Sequence, residues 1–369
     1  MIPNAFFPAY GGVATSTYEL ARWFAKSGHQ VAVIVHGDHP GLPAREGCDG
    51  FHIYRLRLSA RPWLLRPLVL TSGLAQMYAI LYRFRPDVVQ VLFLHVNLLY
   101  PLLLSYVLPY KLVVRACGND IHHFAARSAL FRGLLRWAFR RAAQIQFNSG
   151  SLAQDAEPYL AGNEEKVVVV GEGADPDVFR GEDAFVPSNG RPYIVAIGRL
   201  VFKKGFDLLL QALTQVVQAY PDLQLLIAGD GEERHALEAL VRVLKLENHV
   251  QFLGYANRKQ IAAYLRGCEL FVLPSRIEPV GIVVLEAMAA GKPVLVTNVG
   301  GVPDLVEHGK SGWMVAPGSH ELAEGICFLL ARPDLRRQLA ENGHQRLRER
   351  FTWDQIAADC LEAYQRVLA

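Results

Sequence analysis

From Tyr193 onward, apolar runs of strand length alternate with stretches of helical period, and this alternation narrows the fold more than any other feature. Tyr193–Ile197, Leu223–Ala228, Val250–Leu253, Leu270–Leu273 and Val294–Thr297 read as strands. Gly205–Tyr220, Glu232–Leu246 and the segments opening at Arg258 and Ile282 read as helices. Strands that are apolar on both faces, each followed by a helix, pair in parallel with helices covering both sides of the sheet. The first half repeats the scheme more loosely, with a helix near Val13–Ser27 and strands at Gln30–Val35, Val88–Leu92 and Lys111–Arg115. A length of 369 residues suits two domains. The polar stretch Gly173–Pro192 reads as the linker between residues 1–172 and 193–350. The expected architecture is α/β, two doubly wound parallel-sheet domains facing a cleft, with ligands at the C-terminal ends of the strands.

Composition removes several function classes. Apolar residues make up 51% and charged residues 20%, so the chain has no signature of disorder. Five scattered cysteines with no C-x-x-C pair read as reduced thiols, not as a disulfide frame or zinc site. The most apolar stretch, Val88–Pro109, carries Gln90, His95, Asn97 and Pro101. A membrane span needs about 20 nearly unbroken apolar residues, so this stretch reads as a buried strand and a short core helix. The opening residues do not read as a secretory leader, and the expected location is cytoplasmic, peripherally at the inner face of the cytoplasmic membrane.

The net charge of +3 hides an asymmetry: between Phe51 and Gln154 the only acids are Asp87 and Asp120, against 13 Lys or Arg residues. RLRLSARPWLLRP (Arg55–Pro67) and ARSALFRGLLRWAFRRA (Ala126–Ala142) interleave these cations with large apolar side chains. The second fits a helix with Arg132, Arg136 and Arg140 at i, i+4 spacing. Two readings stand for it, an anionic membrane surface as partner and a solvated basic face over a core helix. No helix-turn-helix, aromatic sheet or zinc signature accompanies the charge, so nucleic acid is not expected.

Chemistry concentrates in EPVGIVVLE, where Glu278 and Glu286 are separated by seven residues. The first lies in the loop before a helix and the second about one turn inside it. A helix N-terminus favours a phosphate. Two carboxylates flanking such an anion site suit a ligand carrying both hydroxyls and phosphates, as a nucleotide sugar does. In the first half, Ala9-Tyr10-Gly11-Gly12-Val13 forms a glycine loop opening a helix, where backbone can approach a phosphate or an acceptor closely. It is not G-x-G-x-x-G, so a dinucleotide reading is unsupported.

The runs GRLVFKKGFDLLLQAL, LIAGDGEE, FLGY and LPSRIEPVGIVVLEAMAAGKPVLVTNVGGVPDLVEHGKSGWMV, together with FFPAYGGVATSTYELARWFAKSGHQVAVI, resemble glycosyltransferase family 4. The resemblance implies the GT-B fold, with Rossmann-like domains, and transfer from a nucleoside-diphosphate sugar with retention of configuration. It also implies that the last helix, residues 351–369, returns to the N-terminal domain. It places Arg199 and Lys204 on the donor diphosphate, where cations stabilise charge that grows as the sugar departs, in place of a metal. Glu286 would accept from both ribose hydroxyls. Glu278 would lie by the transferred sugar, and amides around Gly281 and Ile282 would face the anion. Gly11 and Gly12 join the donor contacts, and Gly229 and Tyr255 mark the region of base recognition. Relatives carry His-Gly-x-Asp where this chain has Cys117-Gly118-Asn119-Asp120. Asp120 is then a contact to sugar or acceptor, an acceptor-activating base, or a loop cap, with Arg115, His122 and His123 as helpers.

Two metal-like patterns read as structural: Asp175-Pro176-Asp177 as a turn, and His36-Gly37-Asp38-His39 as loop polar groups. The first strand is expected to be a stub or missing, with translation starting several codons upstream of Met1. The expected donor is a UDP- or GDP-sugar, with no cofactor or metal. The expected acceptor is a saccharide or lipid-linked hydroxyl in cell-envelope polysaccharide, lipopolysaccharide or glycolipid synthesis. A noncatalytic sugar-nucleotide-binding subunit of the same fold is the alternative, motivated by Cys117 and the short N-terminus.

Overall fold

The computed structural model describes residues 1–7, 11–36, 41–56, 66–181, 183–185, 187 and 190–369. Ala9 and Tyr10 of the glycine loop, Gly37–His39 and the Arg57–Leu65 part of the first basic run lie outside the described residues. The chain divides into two compact units, Met1–Glu172 with Trp353–Ala369, and Gly173–Thr352.

The first unit contains β1 (Ile2–Pro3), α1 (Gly12–Lys26), β2 (Ala32–His36), β3 (Arg45–Cys48), β4 (Phe51–Leu56), α2 (Arg66–Phe84), β5 (Val88–Leu92) and α3 (Leu99–Leu104). It continues through β6 (Lys111–Ala116), a π-helical turn at Asp120–Ala125, α4 (Ala129–Arg141), β7 (Gln144–Phe147), α5 (Gly150–Leu160) and β8 (Val167–Val169). A parallel sheet runs in the order β1-β5-β6-β7-β8, and β2-β4-β3 form a second, mixed sheet. The two sheets adjoin where the Ile34 N–H donates to the Met1 carbonyl at 2.9 Å. Strand β1 is only two residues long.

The second unit holds α6 (Pro176–Phe179), β9 (Tyr193–Ile197), α7 (Phe206–Ala219), β10 (Gln224–Ala228), α8 (Arg234–Val243), β11 (Val250–Gly254) and α9 (Arg258–Gly267). There follow β12 (Leu270–Leu273), α10 (Ile282–Ala289), β13 (Val294–Thr297), α11 (Val302–Leu305), β14 (Trp313–Val315), α12 (Ser319–Leu330) and α13 (Pro333–Arg350). The six strands pair in parallel in the order β11-β10-β9-β12-β13-β14. Strands β9, β10, β12 and β13 are buried along their whole length, because helices lie on both faces. Two core clusters result: Phe271, Val284 and Met288 belong to one, and Leu209, Leu213 and Ile326 to the other.

The stretch expected as a linker belongs to this second unit. Phe179 is fully buried, the Phe185 ring stands edge-on to Tyr264 at 5.0 Å, and the Ala174 N–H donates to the Phe351 carbonyl at 2.9 Å. The closing helix α14 (Trp353–Leu368) belongs to the first unit. There Trp353, Ile356, Cys360 and Tyr364 share a core with Leu20, Phe51 and Val113.

Candidate active site

In the second unit the chain leaves β9 for β10 on one side and later returns to β12 on the other, so β9 and β12 are neighbours with their crossovers on opposite sides. Loops diverge at such a switch point and leave a crevice at the C-terminal strand ends. The loop after β9 carries Arg199, which is exposed, and a 3-10 turn at Phe202–Lys204. The loop after β12 carries Glu278, which is buried. The Lys204 ammonium is ion-paired with the Glu278 carboxylate, which also accepts from the Ser275 hydroxyl at 3.1 Å. Sequence reading assigned Lys204 and Glu278 to neighbouring parts of one site, and the structure puts them in direct contact.

A second pair fastens these loops together. Arg276 binds Asp207 through two nitrogens, at 2.6 and 2.7 Å, with its guanidinium over the Phe202 ring at 4.3 Å. The Arg276 and Ile277 N–H groups both donate to the Lys203 carbonyl, at 2.8 and 3.1 Å. The turn bearing two lysines is thereby held against the loop bearing Glu278. Burial, and then the adjacent Lys204 charge, pull the Lys203 ammonium below its usual range. The Arg276 hydrogen bonds hold the Asp207 carboxyl below its usual range against the opposing effect of burial. Sequence reading missed Ser275, Arg276, Lys203 and Asp207. The first three stood beside assigned residues, whereas Asp207 carried only the signal of an acid in the first turn of a helix.

Gly281 caps α10 with φ of 93°, and Ile282 opens the helix. The first amides of any helix lack partners within it, and here the first turn holds no acidic side chain that could neutralise them. The turn before the helix is fixed by Gly300, at φ 54°, where an added Cβ would lie 2.1 Å from the Glu278 carbonyl oxygen. That carbonyl accepts from the Gly301 N–H at 3.0 Å. Glycine is required at position 300 so that the β13 loop can reach the backbone of Glu278.

Glu286 sits four residues into α10 and is half-buried among apolar neighbours. Burial pushes its carboxyl up to about 7, with the Arg258 charge pulling weakly the other way. Among the described residues nothing donates a hydrogen bond to it. A carboxylate kept in an apolar helix without a donor is costly unless a ligand supplies one.

Gly229 follows β10, and a Cβ there would lie 1.9 Å from the Gly198 carbonyl oxygen. Only glycine allows the β9 and β10 loops this approach. Tyr255 follows β11, the outermost strand on that side, and is 63% exposed. It lies at the same, C-terminal end of the parallel strands but two strands from β9.

Gly11, Gly12 and Asp120 lie in the first unit. Gly11 is extended and, among the described residues, nothing lies within 4 Å of a Cβ added there, so no described contact demands glycine. The base role for Asp120 is corrected by its environment. The residue is wholly buried, and its two oxygens accept from the N–H groups of Leu94, Cys117, Gly118 and Ile121 at 2.7–3.2 Å. It caps a loop and has no free oxygen for an acceptor hydroxyl. Nor are the expected helpers available. Arg115 is wholly buried and bound to Glu172 and to the Val170 and Gly171 carbonyls. His122 pairs with Asp155 at 2.8 Å, and His123 stands edge-on to Phe124. Burial raises the Cys117 thiol, which stays protonated. Asp175 caps α6 by accepting from the Asp177 N–H at 3.0 Å, and His36 stacks on Tyr100.

With this geometry established, likeness to known proteins assigns the class. Residues 10–178 match Glycosyltransferase Family 4, and residues 180–346 match Glycosyl transferases group 1. An uncharacterized glycosyltransferase of Methanocaldococcus jannaschii is 28% identical, with 96% of this chain and 94% of that protein covered. A human phosphatidylinositol N-acetylglucosaminyltransferase subunit is 26% identical, over 100% of this chain and 75% of that protein. The Anabaena HepE structure in complex with UDP-glucose superposes with a TM-score of 0.76 at 22% identity, covering 99% of both chains. The chain belongs to glycosyltransferase family 4 and has the GT-B fold of two Rossmann-like units.

Proposed function

We propose that this glycosyltransferase moves a hexose from a UDP- or GDP-sugar to a hydroxyl of a lipid-linked or membrane-borne acceptor, with retention of configuration and without a metal. The carrying observation is the placement, on the two loops of one switch point, of Arg199, Lys204 and the amino end of α10, with Glu286 one turn inside that helix and, among the described residues, accepting no hydrogen bond. Diphosphate oxygens fit the cations and the helix end, and the two ribose hydroxyls fit Glu286. HepE's complex with UDP-glucose and the phosphatidylinositol substrate in the human relative's name support the donor and acceptor classes. Cell-envelope polysaccharide, lipopolysaccharide or glycolipid synthesis is the setting this reading favours.

On binding, a phosphate oxygen replaces Glu278 as the partner of Lys204, which frees that carboxylate to face the sugar. The bond between the sugar C1 and the β-phosphate oxygen breaks with its electron pair going to the phosphate. The acceptor oxygen bonds C1 from the same face, and its proton passes to the departing phosphate. Arg199 and Lys204 then hold more negative charge than in the ground state, which is the condition for acceleration. Incubating the chain with UDP- and GDP-sugars and a lipid extract, and measuring released UDP or GDP, tests the reading. Acceptor-dependent release is expected, and donor binding with no release from any extract would contradict it.

A further inference from the structure

Helix α4 carries one flank that its own unit covers only in part: Leu134 and Trp137 pack against the core, whereas Leu130 stands clear of it. Leu130, Leu134, Trp137 and Arg141 recur at i, i+4, i+7 and i+11 and so share a flank. Leu130 is 87% exposed, although its neighbours Leu135 and Phe139 are in the core. This flank faces the end of α3. The Trp137 indole N–H donates to the Tyr106 hydroxyl at 3.0 Å, and the Arg141 guanidinium lies over the Tyr106 ring at 4.9 Å while bonding the Ser105 carbonyl. Tyr106 and Val107 are 60% and 67% exposed. Helix α2 packs beside α3 and presents Tyr78 stacked on Tyr82, both exposed.

Cations border this apolar ridge. Arg127, Arg136 and Arg140 are exposed, and among the described residues none of them is ion-paired. The stretch supplies almost no opposing charge, because Asp120 is buried and Asp87 is its only other acid. On the α5 side Arg136 bonds the Pro158 carbonyl, and beyond it the exposed Glu164 and Glu165 adjoin Lys166, which bonds the Arg140 carbonyl. Side chains with an apolar body and a polar tip, mixed with arginines that form no ion pair among the described residues, match the boundary between acyl chains and anionic headgroups. A protein partner would need a large complementary acidic and apolar surface, whereas an anionic bilayer offers both features at any orientation.

We propose that the ridge formed by the α4 flank and the α3 tip docks the enzyme on anionic lipid bilayers, the Leu130, Tyr106 and Val107 side chains entering the headgroup region and Arg127 and Arg140 binding lipid phosphates. The inference deepens the preceding reading, from which it takes the membrane-borne acceptor. No helix of the described residues is long and apolar enough to cross a membrane, so the attachment is to one face.

Flotation of the full chain with phosphatidylcholine vesicles, with and without phosphatidylglycerol, tests it. Flotation is expected only with the anionic lipid and declines as salt rises. Each cation near such a surface strengthens partitioning roughly fivefold, so Arg127→Gln with Arg140→Gln weakens it about 25-fold. Leu130→Ser with Val107→Ser, both at exposed positions, also weakens it, while Arg337→Gln on α13 leaves it unchanged. Equal flotation on neutral vesicles, or anionic binding unaffected by either double variant, overturns the proposal. So does a change of oligomeric state in the serine variant, which marks the ridge as a contact between two copies. UDP-glucose-induced thermal stabilisation, read on the same samples, keeps the two readings separate. Stabilisation without flotation refutes the docking ridge alone, and flotation with no response to any UDP- or GDP-sugar supports the ridge while refuting the donor site.

Discussion

Replacing Glu286 by glutamine is expected to stabilise the protein at alkaline pH and weaken it as a donor-binding site. Burial holds this carboxyl at about 7 against an ordinary 4.5, so ionising it in the folded chain costs about 3 kcal/mol more than in the unfolded chain. Below about pH 4.5 both states carry the proton, and the native chain bears no penalty. As pH rises towards 7 the unfolded chain ionises first, and the penalty grows until the folded group ionises too. Stability is therefore highest below 4.5 and is lost as pH rises through about 7. Glutamine has a similar shape and does not titrate. The variant should match the native chain near pH 4 and exceed it near pH 8 by at most about 3 kcal/mol. At about 2–4 °C per kcal/mol for a unit of this size, the transition of the second unit should rise by at most roughly 6–12 °C. Scanning calorimetry of the full chain at the two pH values reads this directly. UDP-sugar affinity of the variant should fall about tenfold or more, since one amide oxygen cannot accept from two hydroxyls as a carboxylate does. An equal stability difference at both pH values, or a variant less stable near pH 8, would refute the reasoning.

Two further outcomes follow from contacts at the loops. Arg276→Ala removes a bidentate partner of Asp207; because both side chains are about one-quarter exposed, the stability loss should stay near 1–2 kcal/mol. Donor affinity should fall severalfold as the Lys203–Lys204 turn loosens, Arg276→Lys should restore it partly, and unchanged titration calorimetry would count against the clamp. Asp120→Asn leaves four backbone donors sharing one neutral oxygen and should destabilise the first unit by about 1.5–3 kcal/mol, with UDP-sugar affinity on the second unit intact. An unchanged melting transition accompanied by loss of turnover would instead return Asp120 to the chemistry.

The second unit was more legible in the sequence than the first. Its strands are short apolar runs bounded by glycines and helix caps, as at Asn257, whose side chain and that of Gln260 form a reciprocal cap on α9. Such local signals do not depend on distant partners. The pairing of Lys204 with Glu278 was not legible, because it depends on two loops 74 residues apart meeting at the switch point. Asp207 was hidden for the same reason: its partner Arg276 comes from the other loop. The stretch after Gly173 looked like a linker because it is rich in polar residues and proline, yet Phe179 and Phe185 anchor it to α9 and its neighbours. Asp120 presented the same letters as a catalytic motif, and only its complete burial beneath four amides distinguishes a cap from a base.

Turnover of the native chain and of Lys204→Ala, each assayed for nucleotide release in the presence and absence of EDTA, puts the cationic cradle to the hardest test. Full native activity in EDTA, with the lysine variant slower by roughly 100- to 1,000-fold, is the result expected when side-chain charge alone stabilises the departing diphosphate. Loss of native turnover in EDTA, or a variant as fast as the native chain, would contradict it.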